Sequence, residues 1–218
     1  MKYKYILFDL DGTLTDPKVG ITKSVEYALN KYKMEVESLD DLIKFIGPPL
    51  KESFMEYYSF DEERANKAIE YYREYFKDKG IFENDVYEGI PELLRELKNR
   101  GFIIAIATSK PTVFAERIVE HFGLKEYFTI TVGSNLDGTR TSKGEVISYV
   151  LEQLNINNLE EAVMIGDRKH DIIGAQKNNI DSIGVLYGYG DLEEFQEAAP
   201  TYILDSVNDL YKLIINGE

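Results

Sequence analysis

Residues 5–13 read Tyr-Ile-Leu-Phe-Asp-Leu-Asp-Gly-Thr: an aromatic and apolar run that stops at two carboxylates two positions apart, followed by a glycine. A short apolar run bounded by turn residues predicts a strand buried on both faces. In a doubly wound sheet, ligands bind outside the carboxyl ends of the strands, so polar residues that directly follow such a run are candidates for a site. Two later runs end in the same way. Phe102–Ala107 stops at Thr108-Ser109-Lys110, and Ala162–Ile165 stops at Gly166-Asp167, with Asp171 four residues on. Parallel strands would bring Asp9, Asp11, Thr108 and Asp167 to one rim.

Working outward, further strands are expected at Thr129–Val132, Ser182–Leu186 and Thr201–Leu204. Helical patterns separate them at 91–100, 112–122, 142–154 and 170–178, and Val207–Ile215 reads as a closing helix. Pro91 and Ser142 stand where helices begin, and Gly101 and Gly123 where they end. Strands alternating with helices predict an α/β fold with a Rossmann-like parallel sheet. Residues 16–85 break the rhythm. Ile21, Val25, Ala28 and Tyr32 share one helical face, as do Ala65, Ala68, Ile69, Tyr72 and Phe76. Shorter helical pieces, Leu39–Phe45 and Leu50–Tyr58, flank Gly47-Pro48-Pro49, a turn that a helix cannot cross. The expected organisation is a core of residues 1–15 and 86–218 with a small helical domain, 16–85, inserted after the first strand.

The chain has 218 residues, the length of one domain or of one domain with an insertion. A net charge of −14 disfavours DNA or RNA as a partner, because such binding needs an extended face of Lys and Arg. A small anionic substrate is still allowed, since exposed charges are screened beyond about 8 Å. There is no cysteine, which excludes disulfides, thiolate metal sites and thiol nucleophiles. The apolar run at the amino terminus is too short for a signal peptide or a membrane span, so a cytoplasmic protein without membrane association is expected.

Carboxylates gathered on one rim repel one another unless a divalent cation lies between them. Oxygen-only ligation without cysteine or a histidine pair suits Mg²⁺ better than Zn²⁺. One carboxylate as nucleophile and a second two residues away supply an attacking oxygen and a proton donor, which is what phosphoryl transfer requires. The hydroxyl of Thr108 and an ammonium, either Lys143 or in its place Lys110 or Arg140, would hold the phosphoryl oxygens. Asp171 reads either as a helix cap or as a group orienting Lys143. His121 and His170 are not needed by this chemistry. The tyrosines at 57, 58, 71, 72 and 75 fall at spacings that packing explains, although stacking on a base or sugar is also open to one or two of them.

Four ordered elements, Asp-Leu-Asp-Gly-Thr at 9–13, the strand ending at Thr108, Lys143 opening a helix, and Gly-Asp-Arg-Lys-His-Asp at 166–171, resemble the motifs of the haloacid dehalogenase superfamily of phosphatases. The likeness spans the chain, with 16–85 in the place of that family's mobile cap. It implies that Asp9 forms an aspartyl-phosphate and that Asp11 protonates the leaving group and then activates water. Thr108, Ser109 and Lys143 would bind the phosphoryl group. Mg²⁺ would be held by Asp9, the backbone carbonyl of Asp11, and Asp167, with Asp171 supporting these ligands or adding one of its own. Asp11 disfavours dehalogenase activity, because members that displace halide lack a carboxylate there. Gly47 and its prolines, with nearby lysines, would meet the leaving group. Gly-Asp-Arg-Lys-His-Asp-Ile-Ile-Gly-Ala and Gly-Val-Leu-Tyr-Gly-Tyr-Gly are similar to the branch of 5′-nucleotidases and phosphoglycolate phosphatases. The expected substrate is therefore a small phosphate ester. A phosphomutase of β-phosphoglucomutase type is the alternative enzyme, and a non-catalytic phosphoacceptor or binding protein is the alternative outside enzymes. The sequence leaves the oligomeric state open.

Overall fold

The structure is a computed structural model and describes residues 2–217. In chain order the first elements are β1 (Tyr5–Phe8), β2 (Thr15–Asp16), α1 (Lys18–Asn30), α2 (Leu50–Tyr58), α3 (Glu62–Phe76), β3 (Asp85–Val86) and α4 (Ile90–Asn99). Next come β4 (Ile103–Pro111), α5 (Thr112–His121), β5 (Ile130–Ser134), α6 (Lys143–Gln153), β6 (Ala162–Gly166) and α7 (Lys169–Lys177). The chain closes with β7 (Asp181–Val185), α8 (Leu192–Ala198), β8 (Tyr202–Leu204) and α9 (Val207–Tyr211). It divides into two compact units, Met1–Thr15 with Val86–Glu218, and Asp16–Asp85. The strands β2 and β3, where the chain passes between the units, pair as a short ribbon.

The larger unit is an α/β sheet in the order β5-β4-β1-β6-β7-β8, with every pairing parallel. Counted along the sheet alone this is 3-2-1-4-5-6, the doubly wound order, with its topological switch between β1 and β6. The central strands carry unbroken apolar runs because both faces are covered. Ile6, Leu7, Phe8, Val163, Met164 and Ile165 are all fully buried. On one face Leu7, Ala105, Ala107 and Met164 pack against Val146, Ile147 and Val150 of α6 and Ala175 of α7. Phe8 aligns with Ile106 on one side and Ile165 on the other, so Asp9 leaves the sheet level with the ends of both neighbours.

The smaller unit is built from α1, α2, α3 and a 3₁₀ stretch at Leu39–Phe45. Ala65, Ala68, Tyr72 and Phe76 of α3 are buried with Val25 and Ala28 of α1. Its tyrosines are tied up with other rings: Tyr57 and Tyr58 lie against Phe45, Tyr71 against Tyr32, Tyr75 against Tyr27 and Tyr72 against Phe76.

Several elements differ from the sequence expectation, among them the strands β2 and β3, whose two residues each are too few for a periodic signal. The strand predicted to stop at Ala107 continues to Pro111, with a register shift against β5 between Ala107 and Pro111. Thr108, Ser109 and Lys110 therefore sit within a strand. Side chains close the irregular stretch: Ser134 Oγ donates to the Ser109 carbonyl at 2.8 Å, and Gly133 N–H donates to Thr112 Oγ1 at 2.9 Å. The closing helix is α-helical only to Tyr211 and then widens into a π turn over Lys212–Asn216. Helix α8 was not foreseen, because in its seven residues one side chain, Phe195, is buried, which is too little for a periodic signal.

The seven-residue α8 also supplies Glu194, which receives the Arg168 guanidinium through two nitrogens, at 3.0 and 3.2 Å, and the Lys169 N–H at 2.6 Å. Burial works against the charged carboxylate, but these donors outweigh it and hold Glu194 below the usual 4.5. A depressed carboxyl contributes stability above its unfolded value and loses it as pH falls through its folded one. Glu194→Gln is therefore expected to lower the urea midpoint at pH 7, with the gap to the parent narrowing as the pH is taken below 4.5. Melts at both pH values test this; an equal gap at both would remove the charge from the explanation.

Candidate active site

Asp9 and Asp167 sit just beyond β1 and β6, Lys143 and Asp171 in the first turns of α6 and α7, and Thr108 in the irregular end of β4, all at the carboxyl ends of the strands. Asp9 follows β1 and its N–H donates to the Ile165 carbonyl of β6 at 2.8 Å, which locks the loop to the neighbouring strand. The turn that follows depends on Gly12. Its φ is +83°, and a Cβ there would stand 2.0 Å from Asp167 Oδ2. A second glycine, Gly188, lets the loop after β7 approach equally closely, since its Cβ would lie 2.3 Å from both the Gly12 carbonyl and Asp167 Cβ.

Lys143, the first residue of α6, is set by a capping box in which Ser142 and Glu145 satisfy each other's backbone N–H groups. Its ammonium is 2.8 Å from Asp9 Oδ1, 2.8 Å from Asp171 Oδ1 and 3.1 Å from the Ala107 carbonyl. The contact with the Ala107 carbonyl is a hydrogen bond, and the two carboxylates lie at ion-pair distance. Burial by itself would push this lysine down; the charges of Asp171 and Asp9 prevail and hold it above its ordinary value. Arg140, an alternative phosphate ligand by sequence, is engaged elsewhere, donating to the Gly133 carbonyl and to Asn135 Oδ1 and stacking on Tyr149. Lys110 is also at the rim, but against a different carboxylate: its Nζ lies 2.8 Å from Asp11 Oδ2.

The second oxygen of Asp11, Oδ1, is buried and has no hydrogen-bond partner among the described residues. Burial pushes the Asp11 carboxyl above the usual range despite Lys110. Asp9 Oδ1 receives the Leu10 N–H at 2.8 Å as well as Lys143, whereas Oδ2 has no donor among the described residues. Thr108 is buried and its Oγ1 accepts the Lys110 N–H at 3.2 Å. Asp167 accepts the Tyr189 N–H at 2.8 Å and the Thr13 hydroxyl at 3.4 Å, and Asp171 accepts the Arg168 N–H at 3.1 Å.

The carboxylates of Asp9, Asp167 and Asp171 each offer an oxygen within 4.8 Å of the others, and all three residues are buried. Asp11 contributes no carboxylate oxygen to this group. Asp171 belongs to it as fully as Asp167. Burial, then the charges of Asp9 and Asp171, drive Asp167 well above the usual carboxyl range. Asp171 is pushed up to about 6 by burial in spite of Lys143. With all four carboxyls ionised, four negative charges at the rim would face two ammoniums. Such an excess is costly without a cation. A divalent ion with a preference for oxygen fits that donor set and that charge.

Sequence reasoning passed over Thr13, Tyr189 and the backbone role of Gly188. The signal for the last two is the Gly-Tyr-Gly spacing at 188–190 after β7, where a bulky residue at 188 has no room. Gly47, in the smaller unit, has φ +102° in the turn before α2. Among the described residues no helix is long and apolar enough to cross a membrane.

Comparison with known proteins gives this geometry a family. Residues 6–185 match the model of the haloacid dehalogenase-like hydrolases. A 5′-nucleotidase of Pseudomonas aeruginosa is 48% identical over 93% of this chain and 91% of its own length. A protein of Mycobacterium tuberculosis named tyrosine-protein kinase PtkA is 37% identical over 91% of the chain and 67% of its own length. The crystal structure of a predicted phosphatase from Clostridium acetobutylicum superposes with a TM-score of 0.96 at 58% identity, covering 99% of this chain and 100% of that one. The chain belongs to the haloacid dehalogenase-like hydrolase family, and within it stands with the phosphatases.

Gly12→Ala would force a Cβ into Asp167 and strain a positive φ. Isothermal titration with Mg²⁺ is expected to show at least a tenfold weaker site in that variant while circular dichroism stays that of the parent, in line with the cost of disturbing groups that orient metal ligands. Parental Mg²⁺ affinity would mean that Asp167 takes no part in the metal site.

Proposed function

We propose that this chain is a Mg²⁺-dependent phosphomonoesterase that passes the phosphoryl group of a small phosphorylated metabolite to Asp9 and then to water. The observation that carries the reading is the division of labour between two neighbouring carboxylates. Asp9 is clamped through Oδ1 with Oδ2 unengaged, and Asp11 is held by Lys110 through Oδ2 with Oδ1 unengaged. Asp9 Oδ2 attacks phosphorus while the bond to the leaving oxygen breaks, and Asp11 Oδ1 delivers the proton that this oxygen needs. The raised Asp11 carboxyl favours the protonated form that can donate. In the second half Asp11 takes a proton from water as the water oxygen attacks the aspartyl-phosphate. Inorganic phosphate leaves and the Asp9 carboxylate returns.

Lys143 orients Asp9 and stands beside the transferring group. The Thr108 hydroxyl proton has no acceptor among the described residues and is open to a phosphoryl oxygen, with Ser109 next to it in the strand. Asp9, Asp167 and the backbone carbonyl of Asp11, with Asp171 alongside, would hold Mg²⁺, which when bound neutralises charge on the phosphoryl group. The leaving group is of 5′-nucleotide or 2-phosphoglycolate type, and the helical unit, Gly47 included, is the part assigned to reading it. The kinship with a protein named a kinase makes transfer to a protein hydroxyl the reading to exclude.

Release of inorganic phosphate from an aryl phosphate should require Mg²⁺ and stop on addition of EDTA. Asp9→Asn should abolish the phosphoenzyme trapped by acid quench, and Asp11→Asn should slow turnover by roughly 10²- to 10⁴-fold. Full activity in EDTA, or an adduct mapped to another residue, would refute the reading. A phosphate-release screen over nucleoside monophosphates, 2-phosphoglycolate and sugar phosphates separates the substrate classes. Turnover that depends on a sugar bisphosphate would mark a phosphomutase instead, and label appearing on protein tyrosines would mark a kinase.

A further inference from the structure

A cleft of about 590 Å³ opens on the α/β unit between the residues following β3 and those around α9. Three tyrosines line it, Tyr87, Tyr187 and Tyr211, with Glu88 and Glu92 as its charged residues. The volume is that of a small-molecule site. The rings of Tyr87 and Tyr187 meet edge to face, 5.1 Å between centroids and 67° between planes. Glu88 and Glu92 are exposed and have no ion-pair partner among the described residues.

The sign of the ligand follows from the charges present. The amino end of α4 contributes about half a positive charge at this rim, against two full negative charges, and lysine and arginine are absent from the described lining. Tyrosine faces attract cations and repel anions. We propose that this cleft binds a small organic cation, a primary amine or diamine, with its carbon chain against the tyrosines and its nitrogen at Glu88 and Glu92.

Two of the same tyrosines are hydrogen-bonded to the loop that starts at Asp9. Tyr187 donates its phenol proton to the Thr13 carbonyl at 3.0 Å, and the Tyr87 N–H donates to the Leu14 carbonyl at 3.2 Å. Past Tyr187 the chain continues through Gly188 to the Tyr189 N–H that holds Asp167. A ligand pressing on these rings therefore bears on the loop that carries Asp9 and Asp11.

The test is titration of the full chain with 1,4-diaminobutane in saturating Mg²⁺, so that the amine is not drawn to Asp9, Asp167 and Asp171, read by calorimetry and by amide chemical shifts. The expected result is one saturable event, with shifts at Glu88 and Gly89 and also at Gly12–Thr15. Glu88→Gln combined with Glu92→Gln should weaken it about tenfold, and Tyr211→Ala should weaken it with both carboxylates intact. Equal binding of 1,4-butanediol or of succinate, or undiminished affinity in the double variant, would overturn the assignment. So would binding of a lysine-rich peptide but not of the free diamine. Shifts that leave residues 12–15 unmoved would overturn the link to the loop. None of these readouts depends on the reaction the enzyme performs.

Discussion

The ammonium of Lys143 is the fixed point around which the rim is arranged. It is buried and touches a carboxylate after β1, a carboxylate in α7 and a carbonyl of β4. Taking a lysine out of water is costly, and two carboxylates at ion-pair distance with one hydrogen bond to a carbonyl offset that cost here. The same contacts hold Asp9 by one oxygen and leave the other unengaged. Lys143 cannot balance the site by itself. With Lys110 committed to Asp11, the carboxylates when ionised would outnumber the ammoniums by two, a balance that a divalent cation would fit.

The doubly wound sheet makes such a crowd of charge possible. Its strands are buried on both faces and tolerate few polar groups along their length, so charged residues collect where strands end. At the switch between β1 and β6 the chain leaves in opposite directions, and the resulting crevice admits Asp9 from one strand, Asp167 from the other and Lys143 from a helix start. Close approach is achieved with glycine: Gly12 and Gly188 have no Cβ where a Cβ would collide with Asp167. The helix α8, small as it is, steadies the segment after Asp167 through the Glu194–Arg168 pair.

The contrast between legible and illegible parts follows the range of the interactions. The strands at Tyr5–Phe8 and Ala162–Gly166 announced themselves by unbroken apolar runs, and the carboxylates after them by position alone. Strand β4 past Ala107 did not, because Thr108-Ser109-Lys110 reads as a loop until Ser134 and Thr112 close hydrogen bonds around it. Lys143 was favoured over Lys110 and Arg140 in the sequence by its place at a helix start in the order of motifs, but its partners were not legible there. Only the folded chain sends Lys143 to Asp9 and Asp171, Lys110 to Asp11 and Arg140 away to Tyr149.

The linear order of residues thus determined the α/β class, the helical insertion after the first strand, and the kinds of side chain gathered for phosphoryl chemistry, because hydrophobic periodicity and turn residues act over a few positions. Tertiary structure decided which cation serves which carboxylate, that Asp171 joins Asp9 and Asp167, which oxygens are left unengaged, and that three tyrosines and two glutamates enclose a second cleft. Those outcomes depend on contacts between residues far apart in the chain, such as the 3.0 Å bond from Tyr187 to Thr13, whose partners are chosen by packing and desolvation and leave no local mark.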